Sequence, residues 1–339
     1  MDLLTHALGS YTLKRAAFPR ATRPITLAIV LAGTLADLDI VSAWIGPSAF
    51  LTWYRTYAHS LLVAFLLALL ITLPFFLRNR RSPEKQISLF AIFIPAFAAA
   101  LLHLLMDLSQ SAGVELLWPF STRRFALDWI AHLDLWIITI LLAGIFLPML
   151  SGLVTEEIGA KSKGPRGRTG ASLALATLIL YAAARFTFHS TAVAAMESQK
   201  YRGERPRRVA AFPESGSPLR WHGIIETESA LHAVELSVGP AANFDAESAI
   251  ATYKPESSPA LDAAHNSAVA RRFLQSSRFP KASVEKTAEG FHVLLRDFPY
   301  TRDATSGPKV QAAIDTDASG KILSEELAWD PASRQFWWK

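Results

Sequence analysis

Residues 101–110 read LLHLLMDLSQ, and they set His103 and Asp107 four positions apart inside a run otherwise fit for lipid. The apolar run that they close begins near Ile87, and at ~1.5 Å per residue it is long enough to cross a ~30 Å hydrocarbon core. Ile25 to Ile45, Ala58 to Leu77 and Trp129 to Leu150 are of similar length. Ala171 to Phe188 is slightly shorter but apolar throughout, and Leu3 to Phe18 is marginal as a span. The pattern predicts an all-α transmembrane bundle of five to six membrane helices.

Composition agrees with that reading. The chain has 339 residues, 51% of them hydrophobic and 19% charged, and its apolar residues crowd before Met196, as in a membrane protein carrying a soluble appendage. The expected organisation is a membrane-embedded helical domain over 1–192, a linker over 193–218 rich in Arg, Pro, Gly and Ser, and a small soluble α+β domain over 219–339. In the last of these, WHGIIETESALHAVELSV, FHVLLRDF, KVQAAIDTD and KILSEELAW read as strands, and Leu261 to Gln275 as a helix. DTDASGKILSEE, from Asp315 to Glu326, has EF-hand spacing, but its flanks are strand-like, so a β-hairpin turn is expected.

Charge sets the orientation. Twelve basic residues (Lys14, Arg15, Arg20, Arg23, Arg78, Arg80, Arg81, Lys85, Lys161, Lys163, Arg166, Arg168) fall in one set of loops, against Arg55, Arg123 and Arg124 in the alternate set. Because Lys and Arg accumulate on the cytoplasmic side, the C-terminal domain is expected outside the cytoplasm. The net charge of +5 is accounted for by these clusters, so no nucleic-acid partner is expected. With no cysteine, disulfides, thiolate nucleophiles and Cys-type zinc sites are excluded. MDLLTHALGSYTLKRA lacks a basic n-region and a small-residue cleavage site, so it is expected to stay in the mature protein.

Within the first 150 positions His and Asp fall in short pairings: Asp2 with His6, Asp37 with Asp39, His59, His103 with Asp107, and Asp128 with His132 and Asp134. Ionisable groups in spanning segments cost several kcal/mol each, which makes them functional candidates by default. Counted from the cytoplasmic turns, His6 and Asp37 rise ~20 Å, and His59, His103 and His132 ~25 to 29 Å. All therefore meet near the outer edge of the bilayer. A histidine and a carboxylate four apart share one helix face and can chelate one divalent ion, as His103 with Asp107 and Asp128 with His132 would do. Oxygen and nitrogen donors without thiolate suit zinc or manganese. Asp37 and Asp39, two apart, can both be ligands only where the helix unwinds or ends; otherwise one orients a histidine from behind. A proton relay or a hydrogen-bonded packing core would use the same residue types.

MDLLTHALG, LADLD, RTYAHSLL, HLLMD and WPFSTRR together resemble the YdjM-like family, multi-pass proteins of the bacterial inner membrane described as metal-dependent hydrolases and distantly similar to zinc-dependent phospholipase C and P1-type nucleases. The resemblance covers about Met1 to Leu150. It implies His6, Asp37, His59, His103 and Asp107 as metal ligands, with Asp39 and Asp134 as further candidates, while spacing adds His132. The chain departs from the family at Tyr54, where HRxxxHS becomes YRTYAHS. A phenol is a poor ligand at neutral pH, which counts against a second or third ion.

The expected function is thus a membrane-bound hydrolase, with zinc or manganese as cofactor and a phosphoester or lipid-linked substrate at the outer face. In it Asp39 accepts a proton and Arg55 holds the phosphate. The alternative is a non-enzymatic membrane protein whose His/Asp set conducts protons or ions and whose outer domain binds a partner. Membrane lipids are partners in either case.

Overall fold

A computed structural model describes residues 1–80, 87–157, 167–239, 242–298 and 309–331. In chain order the first helices are α1 (Leu3–Ala17), α2 (Arg23–Ala32), α3 (Ser42–Ile45), α4 (Pro47–Trp53), α5 (Leu61–Arg80), α6 (Leu89–Leu108), α7 (Leu135–Glu157) and α8 (Arg168–Glu197). The chain divides into two compact units, Met1–Asp39 with Arg55–Thr187, and Ile40–Tyr54 with Phe188–Lys339.

The first unit is helical. Among the described residues α5, α6 and α8 are long and apolar enough to cross a membrane, and α2 together with Leu35–Ile45, bent by 44°, makes a fourth if taken as one broken span. The apolar part of α7, Leu135–Leu150, is shorter, and α1 has 15 residues, so three to four spans stand against the five to six expected.

The packing is that of helices in lipid. Ala28, Ala32, Ala64, Ala68, Ala96, Ala99 and Ala100 are buried in one cluster with Ile25, Ile29, Ile71, Ile92 and Leu104. Leu66, Leu70, Leu73, Leu77, Phe90 and Ile94 face outward. Small residues inside let backbones approach, which is how helices associate when burying Leu against a neighbour gains nothing over burying it in lipid.

Two breaks in this unit differ from the sequence reading, and both matter to the site. After α2 the chain leaves α-helical geometry for a 3-10 helix over Leu35–Val41. Gly33 sits at that break, where a Cβ would collide with the Ser10 hydroxyl of α1. The second break precedes α7. Asp134 accepts hydrogen bonds from the N–H groups of Trp136 (3.0 Å) and Ile137 (3.2 Å), which caps the helix and starts it at Leu135 rather than near Trp129. Asp128 has a positive φ of 59°, so Asp128 and His132 lie in a loop and do not share a helix face.

The second unit carries two antiparallel sheets. The first holds β1 (Arg208–Pro213), β2 (Arg220–Glu226), β3 (Ala230–Val238), β4 (Ala242–Asn243) and β5 (Ile250–Tyr253), with β3 pairing β2, β4 and β5. Helices α9 (Pro259–Asn266) and α10 (Ala268–Ser276) follow, and then the meander β6 (Pro280–Lys286), β7 (Gly290–Asp297), β8 (Val310–Asp317) and β9 (Ile322–Trp329).

Leu261, Ala264, Ala270 and Phe273 of the two helices pack on Val293, Leu295, Ala312 and Ile314 of the second sheet. The single helix expected over Leu261 to Gln275 is divided at Ser267, whose hydroxyl caps α10 by accepting from Ala270 N–H at 3.0 Å. The Asp317–Lys321 stretch is a hairpin turn: Asp317 Oδ1 accepts from the N–H groups of Ser319 and Lys321, and Gly320 takes φ +88°. The stretch read as a linker is partly ordered structure, since α8 runs on to Glu197 and β1 pairs β2 in register from Arg208↔Glu226 to Pro213↔Trp221. Its arginines and prolines hid Val209–Phe212, which are apolar enough to make a buried strand.

Candidate metal centre

Four pieces of the first unit carry the polar cluster. Helix α1, capped by Asp2 through Thr5 N–H, presents His6, and the 3-10 helix presents Asp37 and Asp39. The loop before α5 presents His59, and the last turns of α6 present His103 and Asp107. One ligand atom each from His6, Asp37, His103 and Asp107 lie within 4.8 Å of one another. His59 joins them, with Nε2 3.0 Å from Asp107 Oδ2 and 3.7 Å from Asp37 Oδ1. His6, His59, His103 and Asp107 are all at most 2% exposed.

Donor and acceptor chemistry orients the rings. His103 Nδ1 lies 3.0 Å from the Gly33 carbonyl oxygen; a carbonyl only accepts, so Nδ1 bears a proton, and in the neutral ring Nε2 then carries a lone pair. That lone pair faces Asp107 Oδ2 at 3.3 Å and Asp37 Oδ1 at 3.8 Å. Behind His59, Asp39 Oδ2 lies 3.1 Å from Nδ1, the carboxylate–histidine arrangement that aims the opposite nitrogen at a metal. His6 Nε2 lies 3.3 Å from Asp107 Oδ1 and 3.9 Å from Asp37 Oδ2, and its ring stacks on His103 at 3.9 Å between centroids.

This donor set fits a divalent ion. His59 Nε2, His103 Nε2, Asp37 Oδ2 and Asp107 Oδ2 are buried and make no hydrogen bond among the described residues, a costly state for polar atoms unless something else satisfies them. The N···O spacings from the Nε2 atoms of His6, His59 and His103 to the carboxylates of Asp37 and Asp107 run from 3.0 to 3.9 Å and bracket the ~3.3 Å edge of a tetrahedron with ~2.0–2.1 Å bonds. Asp37, Asp39 and Asp107 stand against two cations, the Arg55 guanidinium and the Met1 ammonium, so with neutral imidazoles one negative charge remains for a cation to balance.

The remaining sequence candidates fall elsewhere. Asp39 Oδ2 lies against His59 Nδ1 and accepts from the backbone N–H of Arg55 at 2.7 Å. Arg55 is 1% exposed, and its Nη2 donates to Asp107 Oδ1 at 3.1 Å and Gln110 Oε1 at 3.2 Å. It thus faces the Asp107 carboxylate, in a left-handed backbone conformation with φ 57°. His132 meets Gln110 rather than the cluster, with Nδ1 3.1 Å from Oε1. Asp134 caps α7 and accepts from Tyr181 Oη at 2.9 Å. Tyr54 stacks on Phe50, 4.6 Å between centroids.

Sequence reasoning missed Gln110 and the Gly33 carbonyl. Gln110, three residues after Asp107, is within the opening decapeptide, but an uncharged amide carries no signal of its own. The N-terminal ammonium of Met1 also contacts Asp107.

The model of the family described as YdjM inner membrane protein matches residues 1–192. No curated protein and no solved structure matches the chain.

Proposed function

The chain belongs to the YdjM inner membrane protein family, and from that premise we propose that its first unit is a divalent-metal-dependent hydrolase, with zinc as the ion and a phosphoester or lipid-linked substrate. One observation carries the reading: buried histidine and aspartate atoms from four separate chain segments lie within reach of one another, and those of Asp37, His59, His103 and Asp107 make no hydrogen bond among the described residues. In this reading His6, Asp37, His59, His103 and Asp107 hold the ion, and Asp39 backs His59. Arg55 holds Asp107 Oδ1 by a charge-assisted hydrogen bond. A divalent ion held there supplies positive charge that polarises an ester and eases the deprotonation of water.

Asp37, with its side chain 16% exposed, is the ligand nearest solvent and marks the side from which substrate enters. Leu38, beside it, is 53% exposed, so the entrance has an apolar flank suited to an acyl or prenyl chain. The bias of basic residues supports an extracytoplasmic C-terminal domain and an entrance on the outer leaflet. Helices α1 and α7 complete the set of crossings in this arrangement.

The test is metal analysis of the purified full chain in detergent, followed by a hydrolysis screen on phosphodiester, phosphomonoester and acyl ester lipids. Stoichiometric zinc that disappears in His103→Ala, together with lipid hydrolysis abolished by chelation, is expected. A well-folded protein that takes up no divalent ion would overturn the proposal in favour of a proton or ion path through the same residues.

A further inference from the structure

Gln110 sits just past the end of α6, 1% exposed, and its side chain meets Asp107, Arg55 and His132 at the edge of the metal centre. Its Nε2 lies 3.0 Å from Asp107 Oδ1, and its Oε1 lies 3.2 Å from Arg55 Nη2 and 3.1 Å from His132 Nδ1. A carboxylate only accepts and a guanidinium only donates, so the amide has one possible orientation, NH2 to Asp107 and C=O to Arg55. The same oxygen then faces His132 Nδ1, which must carry a proton to approach it. A chain of donor–acceptor requirements therefore runs from Asp107 to the loop that follows α6.

We infer that Gln110 is the positioning residue of the metal centre: with Arg55 it occupies Asp107 Oδ1, which leaves Oδ2 as the oxygen turned to His59 and His103, and it fixes His132 as the tautomer with a bare Nε2. The division of labour on Asp107 supports this. Oδ1 receives Arg55, Gln110 and the N-terminal ammonium, with His6 Nε2 3.3 Å away. Oδ2 makes no hydrogen bond among the described residues and lies 3.0 and 3.3 Å from His59 and His103 Nε2. A carboxylate free to rotate would present its two oxygens interchangeably; one clamped on a single oxygen presents the other as a directed ligand, and partners that orient ligands in this way tune metal affinity. His132, half-buried on the loop, consequently offers an acceptor nitrogen to a hydroxyl or water rather than a donor. The inference rests on the metal reading of the cluster.

The experiment compares zinc affinity, by chelator competition, of the full chain and of Gln110→Met, Gln110→Glu and His132→Ala in the same detergent, with thermal unfolding without zinc as the control for folding. Glutamate fills the same space and can accept from Arg55 and His132, but it cannot donate to Asp107 and sets a second carboxylate against Oδ1, so the packing is kept while the clamp on that oxygen is lost. Positioning predicts affinities about 10–100-fold weaker for both Gln110 variants and a smaller loss for His132→Ala. If Gln110→Met does not fold, Gln110→Glu decides; if neither folds, His132→Ala decides. Folded Gln110 variants that bind zinc within a few-fold of the parent, or in that last case an unchanged His132→Ala, overturn the inference alone. A parent that binds no zinc overturns the metal reading, and this inference with it.

Discussion

Each unit contains a histidine–aspartate contact, and the two could hardly differ more in surroundings. On the second sheet His292 of β7 sits opposite Asp315 of β8, and Asp315 opposite Ser324 of β9. His292 Nδ1 meets Asp315 Oδ1 at 2.6 Å, while the Ser324 hydroxyl donates to Oδ2 at 2.6 Å. Both carboxylate oxygens have partners, and the Asp315 side chain is 44% exposed. In the first unit His103 Nε2 and Asp107 Oδ2 lie 3.3 Å apart, but both residues are buried, and neither atom makes a hydrogen bond among the described residues. The same residue pair is thus a solvated cross-strand contact in one place and a candidate ligand set in the other. Proximity alone does not distinguish them; burial and unsatisfied lone pairs do.

That contrast can be broken at its strong end first. Asp107→Ala removes the shared partner of Arg55, Gln110 and three histidines and strands a buried guanidinium, so a loss of about 3–5 kcal/mol is expected. Chemical or thermal unfolding in detergent, with the ion content measured in parallel, checks this; a loss typical of a surface residue would place Asp107 outside any site.

A change behind the ligands should be milder. Asp39→Asn keeps the shape and removes the charge backing His59, and zinc affinity should fall about 10–100-fold with the fold intact. Unaltered affinity would mean that His59 needs no orienting carboxylate.

At the weak end, Asp315→Asn should cost under about 1 kcal/mol, as for an exposed pair. Its pH dependence has a definite sign. The Ser324 hydroxyl first, and His292 second, hold the Asp315 carboxyl below its ordinary value of 3.8. The contribution is therefore present above that value and lost as pH falls through the lowered one. Unfolding curves of the parent and Asp315→Asn should converge in acid; curves equally separated at neutral and acidic pH would refute the assignment.

Much of this was readable in the chain. Runs such as Leu61–Arg80 and Leu89–Leu108 announce themselves, because lipid demands continuous apolar length and an internally bonded backbone whatever the neighbours are. Helical spacing likewise put His103 and Asp107 on one face, whereas the spacing of Asp37 and Asp39 left two roles open, and the 3-10 turn places Asp39 behind His59. Other expectations failed for local reasons. The helical pairing of Asp128 with His132 overlooked the cap at Asp134, and the linker reading gave Arg and Pro more weight than the strand Val209–Phe212.

Residue types and their periodicity settle which segments enter the membrane and which polar groups lie along them, since both are properties of a segment taken alone. Which oxygen of Asp107 faces the histidines, that Asp39 stands behind His59, that Arg55 turns to a carboxylate and that Gln110 joins the two are matters of contacts between residues as many as 101 positions apart. Hydrogen-bond direction depends on atoms meeting within about 3 Å, and only the packing of α1, α6 and the loops between them brings those atoms to that distance.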